Sequence, residues 1–434
     1  MQRIANRRTR RHHGAAFFFA KNHGTIQILL AYGVGMIARV VLSLAVLSTA
    51  VVASAQDIRK LNGSHISVAD AEQFATKTLA ANHVTGAQIV VVNDGKAVWS
   101  YAYGLRHKDP DLPMTTNTTT WAASITKAVF ATYVMQLVQQ GKFDLDKPMP
   151  QQLPKPWNEY DAYKDSASEI VKDPRWAKLT PRMCLSHTGG LLNIANMQEP
   201  DKKLRFHFEP GDHYSYSGEC INLVQFAIEQ QQGKTLDILM QDAIFGPLQM
   251  TRTSEIYQAR FAEDVADRFD KDEKFHSQTK RFPARASGNM TSSAADLGRF
   301  VEALFAGKII DAATQKKMLT PQVQIRTLHQ FPLVKDEPEG TEAKQVGLAY
   351  GLGWGLLTKT KFGPAFFKEG HGDGAQNYMV CFTRRKDCMI LLTDSDNGEF
   401  AFQPLLETIF GDTATPWEWE MYTRSAIETA RKVQ

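Results

Sequence analysis

The sequence predicts an α/β fold of the α+β type, in which an antiparallel sheet flanked by helices is interrupted by a mainly helical region of about residues 122–290. Two apolar runs joined by a tight-turn sequence precede that region, and strand-like runs return after it. Proline-rich loops alternate with helical stretches in between. Strands on both sides of a helical insertion pair most simply within one sheet, so we expect a sheet layer and a helical part.

Composition limits the class of protein. Of the 434 residues, 43% are apolar and 22% are charged, which excludes a largely disordered chain. Residues 1–55 contain seven basic residues and no acidic one, whereas the whole chain has 50 Lys and Arg against 46 Asp and Glu. The mild net basicity therefore belongs to the N-terminal segment, and it gives no reason to expect nucleic-acid binding.

Residues 36–55 have the pattern of a secretory signal peptide. Arg39 supplies a charge, residues 40–52 form an unbroken run of apolar or small residues, and Ala53-Ser54-Ala55 fits an A-x-A cleavage site. The run is shorter than a membrane-spanning helix requires. We therefore predict a leader and signal peptide over 1–55 and cleavage after Ala55. The product would be periplasmic or secreted, with one domain over 56–434 and no stable transmembrane span.

Two alternatives to a cleaved signal stay open. They are an uncleaved anchor and a twin-arginine signal built on Arg7-Arg8 or Arg10-Arg11. Translation that starts at Met36 rather than Met1 would account for the long basic leader.

The helices follow from local signals. A helix is expected at about 68–82, because Ser67 can cap its first turn and Asp70 follows three residues later. Residues 122–140 predict a long helix that ends at Gly141. Further helices are predicted at 222–231, 236–244 and 293–306, and returning strands at 351–357, 376–382 and 389–393.

Two hairpins are predicted. Asp94-Gly95 between the apolar runs 88–92 and 97–103 favours a tight turn. A two-residue turn midway between Cys381 and Cys388 would place these cysteines directly opposite each other. A disulfide and a pair of buried free thiols are both open for them.

Ser124-Ile125-Thr126-Lys127 places a hydroxyl and an amine near the start of the long helix. Residues three apart share a helix face, so Ser124 and Lys127 stand side by side. An amine whose charged form is disfavoured by burial or by another cation can take the serine proton. A second Ser-x-x-Lys, from Ser277 to Lys280, lies in a charged stretch, and we interpret it as a chance match.

A series of segments between about 120 and 395 accompanies Ser124. They are Trp121-Ala122-Ala123-Ser124-Ile125-Thr126-Lys127, Gly141-Lys142-Phe143-Asp144-Leu145-Asp146-Lys147-Pro148, Leu185-Ser186-His187-Thr188-Gly189-Gly190-Leu191, Phe208-Glu209-Pro210-Gly211 with Tyr214-Ser215-Tyr216-Ser217-Gly218, Gly246-Pro247-Leu248-Gln249-Met250-Thr251, Ser292-Ser293-Ala294-Ala295-Asp296-Leu297, Tyr350-Gly351-Leu352-Gly353-Trp354-Gly355 and Gly370-His371-Gly372-Asp373-Gly374. In this order they resemble the serine β-lactamase-related family of class C β-lactamases, low-molecular-weight penicillin-binding proteins and related esterases. The resemblance implies a β-lactamase/transpeptidase-like fold with the active site between the sheet and the helical part.

The resemblance also implies residue roles. Ser124 would be the nucleophile, and Lys127 the amine that helps to deprotonate it. The segment Tyr214-Ser215-Tyr216-Ser217-Gly218 resembles the family's second catalytic motif. Tyr216 would be the tyrosine of this motif, acting as a general base or passing a proton to the leaving group. Tyr214 is the competing assignment.

The segment Gly370-His371-Gly372-Asp373-Gly374 is placed at the family's third catalytic motif, which implies further contacts. His371 stands where many relatives carry lysine, and would face Tyr216 and the substrate. Gly372 and Gly374 would let the substrate approach the backbone. By analogy, the N–H groups of Ser124 and Gly374 would form the oxyanion hole.

Two departures from the family pattern bear on the substrate. Gly218 stands where the second motif usually ends in asparagine, so an amide that would touch Lys127 and the substrate's acyl-amide group is lost. Asp373 stands where the third motif often ends in glycine, which puts a carboxylate near the pocket. Both changes leave ester and peptide-like substrates open.

Other assignments have less support. Ser395-Asp396-Asn397 spells another family motif but follows the third motif, so we interpret it as a turn into a C-terminal helix. No Gly-x-Ser-x-Gly or His-Glu-x-x-His occurs, and His207 and His213 have no third ligand, so neither a metal nor a cofactor is predicted.

The sequence thus predicts an exported serine hydrolase that forms a covalent acyl-Ser124 intermediate. Its substrate would be a small-molecule ester, a β-lactam or a peptidoglycan-like peptide. The alternatives are a β-lactamase or D-alanyl-D-alanine carboxypeptidase proper, and a catalytically weak cell-envelope binding protein with the same fold. The oligomeric state is left open.

Overall fold

The computed structural model describes residues 57–331 and 338–433. The predicted leader and signal peptide lie outside these residues. In the described part of the chain, nine antiparallel strands form the main sheet, and helices cover both of its faces. This is the α+β architecture that the sequence predicts.

The strands and helices have the following bounds. The strands are β1 (Ile58–Arg59), β2 (His65–Ile66), β3 (Gly86–Asn93), β4 (Lys96–Lys108), β5 (Asp111–Pro113), β6 (Thr120–Trp121), β7 (Asp267–Phe269), β8 (Phe275–Gln278), β9 (Thr291–Ser292), β10 (Val323–Gln324), β11 (Leu348–Tyr350), β12 (Gly355–Leu357), β13 (Ala365–Gly372), β14 (Ala375–Phe382) and β15 (Asp387–Thr393). The helices are α1 (Val68–Ala81), α2 (Ile125–Gln139), α3 (Met149–Gln152), α4 (Pro181–Leu185), α5 (Ala195–Gln198), α6 (Gly218–Gln232), α7 (Leu236–Met240), α8 (Ala294–Phe305), α9 (Ala312–Met318), α10 (Thr341–Val346), α11 (Glu399–Leu405) and α12 (Arg424–Val433). Single π-helical turns follow α7 and α11 at Gln241–Phe245 and Leu406–Phe410.

The strand order in the sheet is β10-β11-β12-β13-β14-β15-β3-β4-β5. The N-terminal hairpin β3–β4 therefore joins the C-terminal strands through β15, with Ile89 opposite Leu391. Alternate residues along each strand face opposite sides of the sheet. Val90 and Ile390 face the core shared with α2 and α8, whereas Ile89 and Leu391 face α1 and α11.

The helical part is inserted between two short strands that pair with each other. Thr120 of β6 lies opposite Ser292 of β9, so the chain leaves and re-enters the sheet side at one place. The first helix of this part, α2, has apolar residues on all sides, and most of its residues are buried. A helix of this kind belongs in the centre of a core. None of the helices in residues 57–331 and 338–433 is both long and apolar enough for a membrane crossing.

Most of the local predictions are confirmed. Ser67 caps α1 by accepting from the Asp70 N–H, and β3 and β4 form a hairpin with Asn93 opposite Lys96. One prediction differs from the structure. The predicted strand 351–357 is formed only over Gly355–Leu357, because the preceding glycine turn packs directly against α2, where Gly353 has a φ of +81° and no room for a side chain. Strand β13 was not predicted at all.

The second predicted hairpin contains a disulfide. Cys381 of β14 lies opposite Cys388 of β15, and their sulfurs are bonded. Cys184 and Cys220 are buried free thiols.

Replacing both Cys381 and Cys388 by alanine lowers the free energy of unfolding by about 2 kcal/mol, because the cross-link closes a short loop in the unfolded chain. Urea unfolding of the oxidised proteins measures this difference. A reductant should destabilise the wild type and leave the double variant unchanged. Equal stability of the two oxidised proteins would contradict the prediction.

Candidate active site

Ser124 lies at the junction of β6 and α2. It is the N-cap residue of α2 and is partly exposed. The residue before it, Ala123, has a φ of +45°, a conformation that costs energy for any residue except glycine and that is often found at functional sites. In the described part of the chain, no group accepts a hydrogen bond from the Ser124 N–H. Both the hydroxyl and this N–H are therefore available to a ligand.

Lys127 lies one turn further along α2, beside Ser124. Its Nζ is 2.9 Å from Ser124 Oγ and donates to the carbonyl oxygen of Ser287 at 2.5 Å. The side chain is buried. Burial lowers the pKa of Lys127 well below its usual value, and the neighbouring Lys368 lowers it further. The environment thus favours a neutral amine next to the serine hydroxyl.

Tyr216 completes this group from the residue before the N-cap of α6. Lys127 Nζ is 4.8 Å from the centroid of its ring, and Lys368 Nζ donates to its hydroxyl at 3.1 Å. Burial raises the pKa of Tyr216 well above its usual value, and the Glu369 carboxylate raises it further, so the phenol is neutral. Tyr214, the competing assignment, packs instead against Tyr350, with 5.6 Å between ring centroids.

His187 positions Tyr216. Its ring stacks on the Tyr216 ring at 4.3 Å, and its Nδ1 accepts from the N–H of Ser217 at 3.1 Å. Burial lowers the pKa of His187 well below its usual value, and Lys127 and Lys368 lower it further. The ring is therefore neutral, and the hydrogen bond to Nδ1 puts its proton on Nε2. This histidine lies in a segment that resembles the family, but no role was predicted for it from the sequence.

The expectation that His371 faces Tyr216 is wrong. His371 Nδ1 contacts Glu399 Oε1 at 2.6 Å, and its Nε2 contacts the Tyr422 hydroxyl at 2.5 Å. Lys368, three residues earlier on β13, donates to Tyr216 and forms a buried ion pair with Glu369. The physical reason is strand alternation. An odd separation along β13 puts Lys368 and His371 on opposite faces of the sheet.

The expectation that Gly374 supplies an oxyanion-hole N–H is also wrong. Gly374 follows Asp373 in the turn that joins β13 to β14, and its N–H donates to Asp396 Oδ1 at 2.5 Å. The Asp373 side chain is 85% exposed and does not line the site. A side chain on Gly372 would collide with the Trp121 ring, so Gly372 serves packing on the strand end.

The edge of β13 beside Ser124 is open. Strand β12 pairs only with Ala365–Phe367, so in the described residues no strand covers that edge over Lys368–Gly372. The Thr383 N–H donates to the Pro364 carbonyl, so these two residues form a hydrogen-bonded pair at the start of the β13–β14 ladder. Hydrogen-bonded pairs recur at every second residue, so the even-numbered residues of β13 direct their N–H and C=O groups at β14. The N–H of His371 therefore points to the open edge.

Gly370 brings that edge against Ser124. A Cβ built on Gly370 would lie 2.5 Å from the Ala122 carbonyl oxygen and 3.3 Å from Ser124 N. Only glycine permits this approach. Asn377 strengthens it by donating to the carbonyl oxygens of Trp121 and Gly370 at 3.1 and 3.2 Å. The N–H groups of Ser124 and His371 thus belong to two backbone segments in direct contact.

Gly218 is the first residue of α6. Its N–H donates to Asn193 Oδ1 at 2.9 Å. Ser287, whose carbonyl accepts from Lys127 Nζ, lies beside Gly218, because a Cβ built on Gly218 would be 3.3 Å from the Ser287 Cβ. The described residues contain no group of three His, Cys, Asp or Glu side chains able to hold a metal ion.

Comparison with known proteins identifies the family of the chain. The family model described as Beta-lactamase matches residues 71–410, which is most of the chain. The chain belongs to the Beta-lactamase family. The resemblance inferred from the ordered motifs is confirmed, and with it membership of a family of serine hydrolases.

Individual members of the Beta-lactamase family are distant. A D-aminopeptidase of Brucella anthropi is 26% identical over 241 residues, which cover 55% of this chain and 46% of that protein. The chain thus matches about half the length of that relative. Penicillin-binding protein 4* of Bacillus subtilis (strain 168) is 20% identical, over 77% of this chain and 74% of its own. The octameric penicillin-binding protein homologue from Pyrococcus abyssi has a TM-score of 0.63 at 20% identity, over 81% of this chain and 79% of that structure.

The family pattern contains the signal that sequence reasoning missed. Lys368-Glu369-Gly370 has the lysine and the glycine of the family's third motif at the usual spacing. Asp373-Gly374 has the composition of a hairpin turn, as Asp94-Gly95 does. Together these two observations would have moved the third motif three residues towards the N-terminus.

Two other segments spell family motifs but were interpreted as a chance match and a turn, and the structure agrees with both interpretations. Ser277 lies on β8 rather than on a helix, and its hydroxyl accepts from Arg268. Ser395-Asp396-Asn397 forms the turn before α11. Neither segment belongs to the candidate active site around Ser124 in this Beta-lactamase family member.

Proposed function

We propose that the protein hydrolyses or transfers the acyl group of an ester or amide through a covalent acyl-Ser124 intermediate. One observation carries the proposal, the 2.9 Å contact between Ser124 Oγ and the buried, pKa-lowered amine of Lys127. A serine hydroxyl needs a base to become a nucleophile near neutral pH. A neutral lysine amine in hydrogen-bond contact can take its proton.

In the proposed mechanism, Ser124 Oγ attacks the substrate carbonyl carbon while its proton moves to the lone pair of Lys127 Nζ. The N–H groups of Ser124 and His371 receive the negative charge on the carbonyl oxygen. Neutral Tyr216, held by Lys368, gives its proton to the leaving group. Water then attacks the carbonyl carbon of the acyl-Ser124 intermediate. Tyr216 takes a proton from the water, and Lys127 returns a proton to Ser124 Oγ as the ester bond breaks.

Two features support an amide or peptide-like substrate. The open edge of β13 presents the N–H and C=O groups of His371, to which an extended chain can pair. Two of the matched relatives are a D-aminopeptidase and a penicillin-binding protein. A small ester, a β-lactam and a peptidoglycan-like peptide are the substrate classes to test, including the activities of a β-lactamase and of a D-alanyl-D-alanine carboxypeptidase.

Labelling tests the proposal. We expect a fluorophosphonate to add one adduct to the full chain, detected by intact mass and located on Ser124 by peptide mapping. Ser124→Ala should take up no label. A chromogenic cephalosporin and a short-chain thioester, tested in parallel, separate β-lactamase from esterase activity. If Ser124 stays unlabelled while the protein is folded, the protein is instead the catalytically weak binding protein of the same fold.

The acidic limb of the pH profile is set by Lys127. Because burial and then Lys368 lower its pKa, kcat/KM rises with pH as Lys127 loses its proton, and the plateau is reached well below the ordinary lysine pKa of 10.5. Kinetics with a thioester across the pH range measure this. Tyr216→Phe should keep the rising limb. Loss of the limb in that variant would show that a tyrosine phenolate is the base.

We also propose that the protein is exported and cleaved after Ala55. The signal-like pattern of residues 36–55 and the Cys381–Cys388 disulfide both fit an oxidising compartment. N-terminal sequencing of the exported protein should begin at Gln56. A product that begins elsewhere, or that stays in the cytoplasm, would contradict this.

A further inference from the structure

We propose that Arg281 and Arg268 form an anion-binding site near Ser124, and that the protein prefers acyl groups that end in a carboxylate. The inference rests on the proposed acyl transfer at Ser124. It names the acyl groups of linear dicarboxylic acids as the preferred class, with Arg281 as the residue that binds the free carboxylate.

Strand β13 passes Tyr216, Ser124 and the Trp121 ring in that order. The contacts come from alternate residues of the strand, which are Lys368, Gly370 and Gly372. In the proposed mechanism Tyr216 gives its proton to the leaving group, so the acyl group extends the other way along β13, towards Trp121. Two residues of a strand span about 7 Å, and a linear six-carbon diacid covers a similar distance.

Two guanidinium groups lie against the Trp121 indole. The Cζ of Arg281 is 3.8 Å and that of Arg268 is 4.9 Å from the ring centroid, within the range of cation–π contacts. The indole N–H donates to the Gly288 carbonyl at 2.6 Å, which fixes the ring. Trp121, Arg281 and Ser124 are all partly exposed. A ligand at Ser124 can therefore reach the arginine stacked on this ring.

Arg281 has unused hydrogen-bond donors. Its Nε donates to Asn289 Oδ1 at 3.3 Å. Among the residues that the structure describes, none accepts a hydrogen bond from either of its Nη atoms. The two Nη groups of a guanidinium match the two oxygens of a carboxylate. Arg281 can thus donate two parallel hydrogen bonds to an anion.

Arg268 adds a second positive charge that no carboxylate pairs with in the described part of the chain. Arg268 is 9% exposed, and it donates to the carbonyl oxygen of Asp373 at 2.6 Å and to the Ser277 hydroxyl. Both of these acceptors are neutral. Its buried Nε has no partner. The Asp373 carboxylate is 85% exposed and lies 3.7 Å from His276 instead.

The positive charges repel one another. Burial, followed by the charges of Arg268 and Arg285, lowers the pKa of Arg281 to about 10, while Asp373 acts in the opposite direction. The guanidinium still carries its charge near neutral pH. A carboxylate bound to Arg281 offsets this repulsion, whereas a neutral group does not. The site therefore favours an anionic acyl group over a neutral one of the same length.

A matched pair of thioesters tests the inference on the full chain. The adipoyl thioester ends in a free carboxylate, and its terminal carboxamide analogue has the same length without the charge. Wild type should show the higher kcat/KM with the adipoyl thioester. Arg281→Gln should lower the ratio of the two kcat/KM values about 10-fold, because a hydrogen bond to a charged group is lost, and should keep the carboxamide value within about 2-fold of wild type.

Two further variants separate binding from a general effect of charge. Arg281→Lys keeps the charge without the planar fork, so its ratio should lie between those of wild type and Arg281→Gln. Lys280→Gln removes an exposed charge one residue away and should leave the ratio unchanged. An unchanged ratio in Arg281→Gln, or the same fall in Lys280→Gln, overturns the inference while acyl transfer stands. Absence of acylation of wild-type Ser124 by either thioester overturns both.

Discussion

Replacing Lys127 by arginine lowers kcat/KM for a thioester by about 10³-fold or more, because a guanidinium keeps its proton and leaves Ser124 without a base. The site holds Lys127 Nζ between Ser124 Oγ and the Ser287 carbonyl, in a buried environment that favours the neutral amine. Lys127→Met, which has a similar length and no amine, should lose as much. The two variants together distinguish a proton acceptor from a positive charge.

Stability and a surface control make this result interpretable. Lys127→Met should be at least as stable to urea as wild type, because a methionine side chain is buried without desolvating an amine. Lys142→Arg changes an exposed lysine just beyond α2 and should keep full activity. If Lys127→Arg is folded and within 10-fold of wild type, Lys127 does not act as the base.

The parts of the site that the sequence predicted are local. Ser124 and Lys127 are one helical turn apart, so their contact follows from helix geometry alone. The cap of α1 and the turn at Asp94-Gly95 likewise depend on neighbouring residues. Tyr216 was placed through its motif, since nothing in the local pattern brings it to Ser124.

The missed residues depend on long-range pairing. Strand β13 is covered by apolar groups on both faces at its start and carries charged residues and glycines at its end, so it has no alternating pattern to recognise. Lys368 meets Tyr216 across 152 residues of sequence. Asn193 reaches Gly218 only because the loop after α4 folds back onto the start of α6. No local rule fixes such contacts before the register of the sheet is known.

Replacing Lys368 should reduce activity and stability much more than replacing His371. Lys368→Met removes the donor to Tyr216 and leaves the Glu369 carboxylate buried without its partner. We expect kcat/KM to fall about 10²-fold or more and the free energy of unfolding to fall by about 3–5 kcal/mol, as for other broken buried ion pairs. His371→Gln should change kcat/KM by less than about 5-fold, because only its backbone N–H faces the reaction.

The double variant Lys368→Met with Glu369→Gln separates the two losses. It removes both buried charges, so urea unfolding should show that most of the lost stability returns. Activity should stay low, because Tyr216 still lacks the cation that holds its hydroxyl for proton transfer. Recovery of activity together with stability would mean that Lys368 acts only by neutralising Glu369. A larger loss of kcat/KM in His371→Gln than in the double variant would instead return the third-motif cation to His371, against the contacts that tie its ring to Glu399 and Tyr422.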